Sequence, residues 1–335
     1  MTTHQRATIQ DVARRAGVSK ATVSRVLNGT TYVSPSTAEA VRVAIEEVDY
    51  SASWQARALA RGSAEAIGII FSEDFEHFGA DPTFHRQMKG VFSKLGETSY
   101  TPIVLHASTQ IDQDKACKLI DSHLFDAVIH LTPYEDHGIL EALAESDTPT
   151  VLCSQLPGGP WHAKFSTVYA DDVAGGALAA QHMHDVGVAQ PIVLTGPMNN
   201  PATVDRVDGT RRVYPDLDES RVLYLGWDEP AGEMGVLRFL TGELEFDGVI
   251  CGSDRIAAGA LKALQHKNID IPGQVRVIGF DDHPVASQTT PALTTVAQPM
   301  GLEGRRAAEL ALALINGAGP TVEQLPMTLK QRTTT

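Results

Sequence analysis

The chain has 335 residues, 43% of them hydrophobic and 6% aromatic, and a formal net charge of −14. That length suits two or three domains rather than one. No run reaches the ~18 apolar residues of a membrane span, so no membrane partner is expected. The N-terminus MTTHQRATIQ lacks the apolar core of a secretory signal, which points to the cytoplasm. Cys117, Cys153 and Cys251 are odd in number and widely spaced; they read as buried thiols of a reducing compartment, with no CxxC pair for a metal or for redox chemistry.

Charge is divided unevenly. Residues 1–61 hold eight Lys/Arg and five Asp/Glu, and the remainder holds 19 and 36. An acidic bulk repels phosphate, whereas the front segment can approach it. Within that segment Ile9, Val12, Ala13 and Ala16 fall at i, i+3, i+4 and i+7, one face of a helix. Gly17 supplies the positive φ that ends a helix cheaply. Ser19 is a good N-cap, and Val23, Val26 and Leu27 repeat the apolar face. Helix, Gly-containing turn and helix is the helix-turn-helix plan, whose second helix enters the major groove.

The outward residues of that second helix are Lys20, Ala21, Thr22, Ser24, Arg25 and Asn28, none of them acidic. The Arg fork matches guanine O6 and N7, and a small apolar side chain touches a thymine methyl. Ser19, Thr22 and Ser24 suit phosphate oxygens, which position the protein without reading sequence. The bland alternative is an ordinary helical hairpin with solvated cations.

Ser34-Pro35 then starts a third helix running to about Val48, with Ala38, Val41, Ile45 and Val48 on one face. Three such helices close a small core that is marginal alone. The segment 51–63 contains a short helical stretch, capped by Ser53 and ended by Gly62, too short to stand alone in water. It is expected to be a linker ordered on binding. Its Leu59 is either a contact with the body or a wedge that enters the minor groove.

Past Ala66 short β-rich runs recur at 66–71, 101–105, 127–131, 150–153, 192–195, 222–225, 248–251 and 275–280. Helical stretches separate most of them, at 84–96, 112–122, 139–145, 172–186, 232–240 and 254–266. This alternation predicts parallel sheets covered on both faces, in two lobes, with a ligand cleft at the carboxyl ends of the strands. An enzyme is not expected: no G-x-G-x-x-G after a strand, P-loop, G-x-S-x-G or H-E-x-x-H occurs. No metal or cofactor is expected either. A solute-binding protein for transport is disfavoured by the missing signal and the attached head.

The run TIQDVARRAGVSKATVSRVLN, followed by VSPSTAEAVRVAIEEVDY and QARALARG, resembles the LacI/GalR family of bacterial transcriptional regulators. DDVAGGALAAQHMHDVG, VDRVDG, FDGVICGSDRIAAGALKAL and IPGQVRVIGFDDHPVASQTTPALTTVAQP continue the likeness, which spans about residues 7–332. The resemblance implies an N-terminal all-α helix-turn-helix head (1–50), a hinge helix or linker (51–63) and an α/β type I periplasmic-binding-protein-like body (64–335). That body has two parallel-sheet lobes joined by three crossovers around a small effector. It further implies a homodimer on palindromic double-stranded operator DNA, with the hinge helices paired in the minor groove. The matching base-reading positions are Lys20, Ala21 and Arg25, and the matching hinge residue is Leu59, flanked by Ala56; Thr8, Ser19, Thr22, Ser24 and Asn28 complete the expected DNA contacts. Only five residues, Gln331 to Thr335, follow the last expected strand, so a dimer without a tetramerising helix is expected.

The resemblance also carries effector positions. Arg206 matches an arginine that holds sugar hydroxyls; at a helix start it could instead pair only with Asp205 or Asp208. Asp254 and Asp281 each follow a strand, Asp254 serving as ligand contact, N-cap or both. Ser253 stands where many relatives have Asn. Trp227 matches an aromatic that stacks on a sugar face, though a lone Trp is equally a core residue. Gln298 lies on a crossover. Asp81-Pro82-Thr83-Phe84 replaces an Asn-Pro-Phe-Phe run and, with GPMNNPATVDRVDG, resembles actinobacterial regulators of oligosaccharide or β-glucoside use. Carboxylates, an Arg and a Trp suit a mono- or oligosaccharide, because bidentate acceptors match vicinal hydroxyls. The expected function is a repressor of carbohydrate-utilisation genes released by a sugar. A purine-like corepressor, another non-sugar effector and an activating role remain open.

Overall fold

The computed structural model describes residues 7–28, 32–50, 63–73, 82–133, 138–154, 156, 161, 164–242 and 244–335. In the head, α1 (Ile9–Ala16), α2 (Lys20–Asn28) and α3 (Pro35–Glu47) enclose Val12, Ala13, Val23, Val41 and Ala44. Thr8 opens α1 by donating both its backbone N–H and its hydroxyl to Asp11 Oδ2, at 2.9 and 2.6 Å. Gly17 ends α1 at φ 67°. Ser19 Oγ accepts the Thr22 N–H at 3.1 Å, and Ser34 Oγ caps α3 ahead of Pro35.

The body begins with β1 (Ala66–Phe71), α4 (Pro82–Leu95), β2 (Thr101–His106), α5 (Gln110–Asp121), β3 (Ala127–His130), α6 (Ile139–Glu145), β4 (Thr150–Leu152) and β5 (Ser166–Ala170). It continues with α7 (Asp172–Asp185), β6 (Pro191–Thr195), α8 (Pro201–Val213), β7 (Val222–Tyr224), α9 (Glu229–Leu240), β8 (Gly248–Cys251), α10 (Asp254–His266) and β9 (Arg276–Phe280). The last elements are β10 (Thr294–Ala297), α11 (Met300–Ile315), β11 (Val322–Leu325) and β12 (Thr328–Lys330).

Two six-stranded sheets form, ordered β11-β5-β4-β3-β1-β2 and β12-β10-β9-β8-β6-β7. Each has one helical layer on either face. In the first lobe α4 and α11 cover one face and α5 and α6 the other; in the second, α9 and α10 oppose α7 and α8. Central strands are therefore largely buried on both sides, as in β1, AIGIIF, where all six residues are buried. The chain changes lobe three times: from β5 to α7, from β10 to α11, and from β11 to β12.

Several features depart from the sequence expectations. α11 and the strands β5, β10 and β11 were not anticipated, and α8 was expected only as a helix starting near Arg206. The edge strands β11 and β12 are short and polar, VEQL and TLK, and are defined by neighbours distant in sequence. One strand pair, β10 with β12, is antiparallel. α4 and α9 start earlier than hydrophobic periodicity indicates, because Pro82 and Pro230 fit the first turn of a helix. Cys117 is half-buried rather than buried, while Cys153 and Cys251 are buried; all three are free. Among the described residues no helix is long and apolar enough to cross a membrane.

Glycines let three helix pairs touch backbone to backbone. A Cβ on Gly176 of α7 would lie 2.2 Å from the Arg206 carbonyl oxygen of α8, and one on Gly209 would lie 2.1 Å from that of Val173. This closeness sets Arg206 beside the start of α7. Gly209→Ala should therefore force the two helices apart and destabilise the second lobe by ~1–3 kcal/mol. Urea unfolding of the variant checks this, and an unchanged midpoint would show that the contact relaxes at no cost.

Candidate functional site

The head presents Lys20, Ala21 and Arg25 to solvent on α2, with Thr22 and Ser24 half-buried beside them. Among the described residues neither Lys20 nor Arg25 is held in an ion pair, whereas Arg14 is tied to Asp11 and Arg15 to Glu47. Capping by Ser19 and the linked Ser19 and Thr22 hydroxyls, 2.9 Å apart, fix the start of α2. Thr8 is exposed at the start of α1. Asn28 closes α2. Ala56 and Leu59 lie outside the described residues.

In the body a cleft opens where the carboxyl ends of both sheets meet. Its volume is about 140 Å³, roughly ten times the ~10–15 Å³ that one water needs. Residues just past β1, β4 and β5 line the first-lobe side, through Glu73, Cys153, Ser154 and Asp172. Residues past β7, β8, β9 and β10 line the other, through Trp227, Ser253, Arg255, Asp281 and Gln298.

Arg206 occupies the centre, with only 7% of its surface exposed. It lies in the second turn of α8, not at the helix start, and its partners are not Asp205 or Asp208. Nε donates to Asp172 Oδ1 at 2.8 Å, Nη1 donates to the Gly252 carbonyl, and Asp281 Oδ1 lies 3.7 Å from Nη1. The guanidinium also sits 4.1 Å over the Phe280 ring and 5.9 Å from that of Trp227. Adjacent residues on a helix point about 100° apart, so tertiary neighbours decide the pairing. Burial works against the Arg206 charge, but Asp172 and Asp281 outweigh it and the net shift is upward.

Asp281 takes φ 103°, a conformation that costs a non-glycine residue ~1–3 kcal/mol. Gln298, on the crossover between β10 and α11, steadies it by donating from Nε2 to Oδ1 at 2.6 Å. Trp227 lies flat against Gly196, where a Cβ would fall 2.1 Å from the indole. Half-buried Phe84 contributes from α4. Two expectations need correction. Asp254 does not line the cleft: it is fully buried behind the wall and accepts the His283 N–H at 2.7 Å. Nor is it the N-cap of α10, since Ser253 takes that place with Oγ accepting the Ile256 N–H. The Ser253 hydroxyl lines the cleft while committed to the helix.

Gln87, Asp172, Asp205, Arg255 and Glu303 are among the lining residues not singled out as effector contacts from the sequence. Arg255 Nη1 is buried without a partner among the described residues. Burial, with Asp172 nearby, pushes the Asp205 carboxyl up to about 6. Burial, again with Asp172 nearby, raises Glu303 from its ordinary 4.5 up to about 8. A signal for two of them existed. Gln87 interrupts the buried column Thr83, Val91 and Leu95 of α4, and Glu303 sits among the buried small residues of α11.

A helix-turn-helix head on a two-lobed body of the type I periplasmic-binding-protein kind defines a DNA-binding transcriptional regulator. Residues 8–53 match the family model "Bacterial regulatory proteins, lacI family", and residues 166–335 match "Periplasmic binding protein-like domain". The chain is 30% identical over 321 residues to the transcriptional regulator CelR of Thermobifida fusca, covering 95% of this chain and 94% of CelR. It is 32% identical over 317 residues to GalR of Escherichia coli strain K12, covering 92% and 89%. The solved CelR–cellobiose complex superposes with a TM-score of 0.77 at 28% identity, over 98% of this chain and all of that one. A lac repressor dimer bound to operator and the anti-inducer ONPF superposes at 0.82 with 22% identity, over 98% and 99%. The chain belongs to the LacI family of bacterial transcriptional regulators and is not an enzyme.

The Glu303 carboxyl makes a pH prediction. Its folded pKa lies above its unfolded one, so its contribution is fully present below pH 4.5 and is lost as pH rises through about 8. The slope in that window is at most ~1.4 kcal/mol per pH unit. Glu303→Gln should thus gain stability over the native protein as pH rises from 5 to 8, read by thermal unfolding. Parallel pH profiles for the two proteins would show that Glu303 titrates normally.

Proposed function

We propose that this protein is a cytoplasmic repressor of carbohydrate-utilisation genes, bound as a homodimer to a palindromic operator and released by a mono- or oligosaccharide. The observation that carries the sugar reading is the arrangement around Arg206. A flat indole, half-buried at Trp227, stands beside a buried guanidinium, Asp281 and Gln298. An aromatic face suits the apolar C–H face of a sugar ring, and the carboxylate and amide suit its hydroxyl rim. The cellobiose complex of CelR, of the same fold and similar length, supports the assignment.

The mechanism is a population shift. Asp172, Gln298 and Met300 lie on or beside two of the three crossovers and also line the cleft. A ligand held there changes the angle between the lobes and so the spacing of the two heads in the dimer. A tenfold loss of operator affinity needs ~1.4 kcal/mol of coupling, inside the usual ~1–3 kcal/mol of allosteric systems.

The decisive experiment selects an operator from a random duplex pool and titrates the complex with a panel of mono- and oligosaccharides. At least one sugar should lower operator affinity tenfold or more. Release by purines alone, or by nothing in the panel, would overturn the sugar reading. Trp227→Ala should abolish the response while the operator is still bound. Arg206 is a poorer reporter, because its removal strands buried carboxylates at a cost of ~3–5 kcal/mol. In the head, Arg25→Ala should cost ~1–3 kcal/mol and relax preference at one base pair of each half-site. An unchanged selected sequence would remove Arg25 from base reading.

A further inference from the structure

Gln87 and Glu303 meet on the first-lobe floor of the cleft, at the crossing of α4 and α11. The backbones touch there: a Cβ on Gly304 would lie 1.9 Å from the Gln87 carbonyl oxygen. Gln87 Nε2 donates to Glu303 Oε1 at 2.9 Å, and both residues line the cleft while only 1% and 4% exposed. Gln87 Oε1 has no partner among the described residues. Turning the amide over exchanges the two ends but still leaves one of them unpartnered. Phe84, Leu131 and Met300 line the cleft with them, and Asp172 lies near enough to add to the upward push on the Glu303 carboxyl.

Stability alone does not account for such a pair. Two buried polar groups replaced together by apolar side chains of similar shape are commonly neutral or stabilising. A pair that is only half satisfied is less favourable still. We propose that Gln87 and Glu303 form a second polar subsite of the effector cleft, which reads one hydroxyl group of a neutral polyol on the lobe opposite Trp227. This rests on the sugar reading given above. The ligand hydroxyl donates to Gln87 Oε1 and accepts from the Glu303 carboxyl, which burial keeps protonated at neutral pH. Neutral Glu303 suits a hydroxyl better than an ammonium, which would seek the ionised form. With Trp227 and Arg206 on the second lobe and this pair on the first, one ring touching both sides ties the lobes together.

The test measures thermal stability and, by calorimetry at pH 7, the affinity of the full chain for cellobiose, glucose, galactose, ribose and glucosamine. Three proteins are compared: the native chain, Glu303→Gln, and the double variant Gln87→Met with Glu303→Met. The double variant should melt at the same temperature or higher, and should bind the preferred neutral sugar at least tenfold more weakly. Glu303→Gln, which retains a hydrogen-bonding group, should fall between. Unchanged sugar affinity in the double variant would overturn the subsite and leave the sugar reading standing. A lower melting temperature with unchanged affinity would make the pair a structural tie. Preference for glucosamine, lost in Glu303→Gln, would replace the neutral polyol by a cation. If the native chain binds none of the five, the sugar reading fails and the subsite with it.

Discussion

A guanidinium buried between carboxylates organises the body of this protein. Arg206 is 7% exposed and reaches Asp172 at the first crossover, the Gly252 carbonyl past β8 and Asp281 past β9. A charge taken out of water is tolerable only when it is paired and fully hydrogen-bonded. The elements that supply those partners are thereby constrained to one relative position. Asp281 accepts a left-handed backbone in the process and is steadied by Gln298 from the second crossover. The same contacts that hold Arg206 therefore reach two of the three points at which the lobes are joined.

Close helix contacts make this arrangement possible. α7 against α8, α4 against α11, and α9 against α10 each approach at glycine, where a methyl group would overlap a facing carbonyl. Packed interfaces of this kind shift between discrete arrangements rather than deforming smoothly. A ligand that adds contacts to both lobes can therefore favour one angle over another. The acidic character of the cleft, with Asp172, Asp205, Asp281 and Glu303 around Arg206 and Arg255, leaves part of its carboxyl population protonated near neutrality. Hydroxyl-rich ligands find donors and acceptors there in the same small volume.

The head follows a different physics. Its core is five buried side chains with a rim of partly buried ones, and its capping interactions are local in sequence. Thr8 with Asp11, Ser19 with Thr22 and Ser34 with Thr37 all act across three residues. Nearly everything about α1, α2 and α3 was for that reason legible in one pass along the chain, including the exposed Lys20, Ala21 and Arg25. In the body, β1, α6, β8 and α10 were equally legible, because strong apolar runs and periodic faces mark them.

Sequence likeness to the LacI family supplied the candidates Arg206, Trp227, Asp281 and Gln298, whereas local pattern determined the three head helices, the alternating body and the position of the cleft at strand ends. The latter follow from side-chain periodicity and from capping, which act over a few residues. Tertiary structure alone decided who pairs with whom. Arg206 is drawn away from its sequence neighbours to Asp172, 34 residues back. Asp254 turns inward under Gly279 while Ser253 faces the cleft. Gln87 meets Glu303 across 216 residues. The short edge strands β11 and β12 exist because β5 and β10 offer them open hydrogen-bonding edges. Each of these depends on contacts between segments far apart in the chain, whose desolvation and pairing energies exist only once the lobes have folded.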